Sequence, residues 1–211
     1  MTKFIVLLVL TASLWSNDFK QAVEDYNQGN YIKALNAFYV LAKEGDAKAQ
    51  YNVGMIYAQG KGVKTDLSEG MSWYEKAAKQ GNVSAAYNLA QLYHSMGESE
   101  AHSYERAKHW YEKAVDGGVV QAYNNLALLY MEGKGVEKNQ KKAFELFKKA
   151  AQLGDARAQV NVGVLYAWGE GLVHDKMKAH ENFKKALQAG YSEASAHLDK
   201  LCKESSWVCQ N

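Results

Sequence analysis

One nine-residue pattern occurs four times in this 211-residue chain, and that repetition constrains the fold more than any other feature. The copies are Ala49-Gln-Tyr-Asn-Val-Gly-Met-Ile-Tyr57, Ala85-Ala-Tyr-Asn-Leu-Ala-Gln-Leu-Tyr93, Ala122-Tyr-Asn-Asn-Leu-Ala-Leu-Leu-Tyr130 and Ala158-Gln-Val-Asn-Val-Gly-Val-Leu-Tyr166, at spacings of 36, 37 and 36. A second pattern follows each: Trp73-Tyr-Glu-Lys-Ala77, Trp110-Tyr-Glu-Lys-Ala114, Leu146-Phe-Lys-Lys-Ala150 and Asn182-Phe-Lys-Lys-Ala186, closed by Gly81, Gly118, Gly154 and Gly190. A period of this length means one supersecondary unit stacked on copies of itself. The expected units are 47–82, 83–119, 120–155 and 156–191.

Each unit reads as two antiparallel helices. Ala49, Val53, Ile56 and Tyr57 fall at i, i+4, i+7 and i+8, one helical face, and small residues at 54, 90, 127 and 163 permit close helix approach. Gly70, Ala107, Ala143 and Ala179 sit one turn before the aromatics at 74, 111, 147 and 183, and the closing Gly suits a left-handed cap. Between the helices lie Gly60-Lys-Gly62, Gly133-Lys-Gly135 and Gly169-Glu-Gly171. A phosphate loop would follow a strand, so these are read as inter-helix turns. The aromatics, with Tyr57 and Tyr93, are expected in the core, and Asn52, Asn88, Asn125 and Asn161 are expected to satisfy backbone groups of an adjoining helix.

These residues resemble the Sel1-like repeats, relatives of the tetratricopeptide repeat. The resemblance covers 47–191 and implies an all-α, right-handed solenoid of antiparallel helix pairs. Unit 83–119 departs from the pattern: Met96-Gly-Glu-Ser-Glu-Ala-His-Ser103 replaces the glycine turn. Residues 17–46 look like a shorter, tetratricopeptide-type first unit, and 192–211 like a capping helix and tail.

Composition fits this reading. The chain has no Pro, where an average composition would supply about ten, as expected of helices joined by glycine turns. Its 25 basic and 23 acidic residues give a net charge of +2 without long blocks of one sign. That balance argues against nucleic acid as a partner. Residues 1–16 differ from the rest: Lys3 precedes the apolar run Phe4 to Leu10, which continues to Trp15. The pattern is that of a secretory signal peptide, and it is short for a membrane span. A periplasmic or secreted protein is expected.

A search for catalytic chemistry finds little. Neither a Gly-x-Ser-x-Gly nor a Ser-x-x-Lys motif occurs, and no His-Glu-x-x-His. His102 and His109 flank Glu105 at helical spacing but read as solvated face rather than metal ligands. No catalytic, cofactor-binding or metal-binding residue is assigned, and no cofactor or small-molecule substrate is expected. Partner-binding candidates are instead positions that differ between repeats: Gln91, His94, the 96–103 loop, Trp168 and, in the tail, Trp207.

Cys202 and Cys209 are the only cysteines. Export to an oxidising compartment would favour a disulfide between them, with free thiols or metal ligation as the other readings. Secreted Sel1-like proteins of the cysteine-rich Helicobacter group carry cysteine pairs inside their repeats, which this chain lacks, so their penicillin-binding activity is not carried over. Size, the export signal and the tail Leu201-Cys-Lys-Glu-Ser-Ser-Trp-Val-Cys209 resemble periplasmic components of sodium-driven polar flagellar motors. This implies a non-catalytic scaffold that helps stator assembly, with MotY and the stator subunits as partners. The alternatives are a cell-wall or β-lactam-active enzyme and a regulator of another envelope protein.

Overall fold

The computed structural model describes residues 18–99, 102–169 and 174–210; the expected signal peptide lies outside them. Among the described residues the regular structure is entirely helical. Helix α1 covers 18–27, followed by α2 (Tyr31–Lys43), α3 (Ala47–Gln59), α4 (Leu67–Lys79), α5 (Val83–Met96), α6 (Ser103–Asp116), α7 (Val120–Glu132), α8 (Gln140–Gln152), α9 (Ala156–Trp168), α10 (Lys176–Gln188) and α11 (Ala194–Glu204). The chain divides into two compact units, one running to Leu92 and the other from Tyr93.

Short polar side chains set where most of these helices begin. Asp46, Asp66, Asn82, Asn139, Asp155 and Asp175 each accept a hydrogen bond from the backbone N–H three residues on, at 2.7–3.0 Å. Each cap satisfies one of the helix's orphan donors, for which such residues contribute about 1 kcal/mol.

In the first unit α3 packs on α2 and α4. Ala49, Val53 and Ile56 are fully buried against Ala34, Phe38, Leu41 and Trp73. The α3–α4 crossing depends on two glycines: a Cβ on Gly54 would lie 2.8 Å from the Tyr74 ring and 3.0 Å from the Gly70 carbonyl. On the edge of this unit, buried Asp25 of α1 receives Lys33 of α2 at 3.0 Å.

In the second unit each of α7 to α10 packs on its neighbours, and α11 closes the end against α9 and α10. Phe147 and Phe183 are fully buried, each amid small residues: Ala143 and Ala150 around the first, Ala179 and Ala186 around the second. Tyr111 of α6 is 1% exposed.

The glycine turns are structural clamps. Gly133 and Gly135 both have positive φ, and a Cβ on Gly135 would stand 2.5 Å from the backbone of Tyr104 at the start of α6. Lys134, between them, lies over the Tyr104 ring at 5.5 Å and pairs with Glu132 at 2.7 Å. Lys61 plays the same part in the first unit, donating to the Tyr26 hydroxyl at 2.9 Å and covering Tyr31. Gly169 departs from the pattern, with an ordinary φ of −71°.

Candidate protein-interaction surface

The surface is built on what the helices do not need for packing. Two expectations about the core change first. Tyr57, Tyr93, Tyr130 and Tyr166, which end the first-helix pattern, are half-buried, while Ile56, Leu129 and Leu165, the residues before three of them, are buried. The buried aromatic positions are those of the second helices.

The repeated Asn side chains are structural, but their partners are mostly other side chains. Asn88 donates to the Tyr74 hydroxyl and Asn125 to the Tyr111 hydroxyl, both at 3.3 Å and both reaching back 14 residues. Asn161 donates instead to Asn124 Oδ1 at 3.0 Å, and Asn52 to the Lys48 carbonyl in its own helix at 2.9 Å. Of these four bonds, the last is the one to a backbone group. Burial with the phenol oxygen pushes the Tyr74 pKa up to about 12, against which the bond from Asn88 works.

The four partner-binding candidates have different surroundings. Gln91 is exposed on α5. His94, one turn on, is half-buried between Tyr104 and Tyr111, ring centroids 5.7 and 6.0 Å away, with Nδ1 3.3 Å from the Tyr111 hydroxyl. Desolvation and nearby Lys134 lower its pKa, with Glu132 opposing them. Trp168 is committed to the C-terminal cap: its Nε1 donates to Glu204 at 2.8 Å, Lys200 lies 4.4 Å over its ring, and it packs with Phe183 and His197. Trp207 is 59% exposed.

Trp207 stands on a short 3-10 turn, Ser206–Cys209, held by a disulfide between Cys202 and Cys209 with Cα atoms 5.7 Å apart. Val208 is buried on the end of the core, and Lys176 donates to the Ser205 hydroxyl at 2.6 Å. The tail is therefore fixed at three points with its indole outward.

Among the described residues one non-glycine backbone is left-handed. His102 has φ 61°, a left-handed conformation unusual outside glycine, and its Nδ1 meets Glu105 at 2.7 Å. His109 packs edge-on against Trp110 instead. Among the described residues no three His, Cys, Asp or Glu side chains meet at a point a metal ion could occupy. Sequence reasoning missed Ile32 and Val40, 61% and 58% exposed on α2. Their signal was available: they lie opposite Ala34, Phe38 and Leu41, the buried face of that helix.

A family model described as the Sel1 repeat matches residues 47–82, 83–119, 120–155 and 156–191. The chain belongs to the Sel1 repeat family. No curated protein matched. Among solved structures, c5321, a protective antigen of uropathogenic Escherichia coli with an SLR fold, is 26% identical with a TM-score of 0.81. That match covers 92% of this chain, and this chain spans 42% of c5321. A Sel1 repeat protein from Oxalobacter formigenes is 29% identical with a TM-score of 0.77, covering 86% of this chain and 74% of that one. Sel1 repeats mediate protein–protein interaction, so the side chains that the repeats do not bury are where a partner is to be sought. No described helix is long and apolar enough to cross a membrane.

Proposed function

We propose that this Sel1 repeat protein is an exported, non-catalytic scaffold of the MotX kind, a periplasmic component of a sodium-driven polar flagellar motor that helps its stator units assemble. The observation that carries the reading is the C-terminal clasp. The Cys202–Cys209 disulfide suits an oxidising compartment and presents Trp207 outward at the end of the array. Large aromatic side chains of this sort are enriched at the centres of protein interfaces. Gln91 on α5 is the second contact proposed, because it is exposed and the other repeats place Met55, Leu128 and Val164 there. MotY and the stator subunits are the proposed partners.

Deletion of the gene tests this. The expected result is cells that build flagella but do not swim, with swimming restored by the intact gene. Normal swimming in the deletion strain eliminates the motor reading. Turnover of a chromogenic β-lactam or of cell-wall fragments by the purified protein would overturn the non-catalytic part alone.

A further inference from the structure

The second helices of the last two repeats differ in charge from those of the first two. Helices α8 and α10 each carry four Lys and one Glu. Helix α4 has two Lys and two Glu, and α6 has three basic residues against three acidic ones. The switch is concentrated at one repeat position: Glu75 and Glu112 in the first pair become Lys148 and Lys184 in the second. Both Glu residues form i,i+4 ion pairs, Glu75 with Lys79 at 2.8 Å and Glu112 with Lys108 at 3.5 Å.

The lysines of α8 and α10 fall in matching places, because the two helices repeat at 36 residues: Lys142 with Lys178, Lys148 with Lys184, Lys149 with Lys185. All six are exposed, opposite the buried Ala143, Phe147 and Ala150 of α8 and Ala179, Phe183 and Ala186 of α10. Both helices pack on α9 within one unit. Lys178 and Lys185 have partners, Asp175 at 3.1 Å and Glu181 at 2.6 Å, whereas Lys142, Lys148, Lys149 and Lys184 form no ion pair among the described residues. Two apolar side chains stand exposed on the same helices or at their ends, Met177 at 45% and Leu153 at 47%.

We propose that the outward faces of α8 and α10 form a docking surface for a bilayer containing anionic phospholipid. The choice of cation carries the choice of partner. Neither helix has an Arg, the residue whose rigid fork suits stereospecific pairing, and Lys is depleted in protein–protein interfaces. Point charges on flexible stems suit mobile headgroups, where each Lys near an anionic membrane contributes about 1 kcal/mol. Met177 and Leu153 give the face apolar side chains that reach the headgroup boundary.

The test is sedimentation of the full-length protein with phosphatidylcholine vesicles, with and without phosphatidylglycerol, at low and high salt. Binding through the lysines requires phosphatidylglycerol and disappears at high salt, whereas insertion of the apolar N-terminal segment would be insensitive to salt. Lys148→Glu with Lys184→Glu restores the residues that the first two repeats carry, so the fold tolerates it. The expected result is salt-sensitive binding weakened about 30-fold or more. Lys20→Glu with Lys64→Glu, exposed sites elsewhere, changes net charge equally and should bind as the unaltered protein does. Equal binding by the Lys148/Lys184 variant, or no salt-sensitive binding by the unaltered protein, overturns the proposal; the second outcome directs the search to an acidic protein partner.

Discussion

Two repeats fill the aromatic slot of the second helix with Tyr, and the next two fill it with Phe; the hydrogen bonding around the slot follows that difference. Where Tyr74 and Tyr111 supply a hydroxyl, the Asn 14 residues later donates to it. Behind Phe147 and Phe38 no hydroxyl exists, and Asn161 and Asn52 turn to Asn124 and to the backbone of Lys48. A half-buried amide must find a partner, and its partner is set by the preceding repeat rather than by the pattern it belongs to. A position that looks uniform in sequence thus does two different jobs.

The largest effect should come from emptying either kind of slot. Phe147→Ala and Tyr111→Ala should each destabilise by about 3–5 kcal/mol in urea denaturation, because both rings are buried. A loss under about 1 kcal/mol at either site would mean that the slot is not core. Next comes the C-terminal end. Replacing both Cys202 and Cys209 with Ser should cost about 2–3 kcal/mol, the loop-closure value for a short ring, and hydrogen exchange should show the loss confined to α11 and the tail. Exchange accelerated equally in α2 and α3 would contradict a local clasp.

The comparison itself is sharpened by smaller changes. Tyr111→Phe removes the hydroxyl shared by Asn125 and His94 and should cost about 1 kcal/mol. A double-mutant cycle with Asn125→Ala should return a coupling of similar size, and zero coupling would break the account of the Asn. Tyr74 gives a pH test. Its folded pKa, about 12, is raised above the usual value of 10.0, so its contribution is complete below pH about 10 and declines as pH rises toward 12. Thermal midpoints between pH 9 and 11.5 should therefore fall less steeply in Tyr74→Phe than in the unaltered protein.

Much of the fold is legible in the sequence because the period repeats it four times. Ala49, Val53 and Ile56 announce the buried stripe, and the Gly-Lys-Gly turns announce themselves by spacing. Side-chain pairing was less legible. That Trp168 is tied to Glu204 depends on a capping helix 36 residues away, and that His94 is wedged between two Tyr rings depends on how α6 leaves the irregular 96–103 segment. Neither distance nor orientation is encoded in a repeat pattern. The half-burial of Tyr57 and Tyr93 follows from helical phase, since they adjoin the buried stripe at its edge.

The central claim is that binding resides in exposed side chains that the repeats do not use for packing. It is tested most directly by introducing Gln91→Ala and Trp207→Ala together into the deletion strain and measuring swimming alongside the thermal midpoint of the purified variant. The account predicts that swimming is lost while the midpoint shifts by no more than about 2–4 °C, as expected of surface changes. Undiminished swimming, or loss that appears only with unfolding, would contradict it.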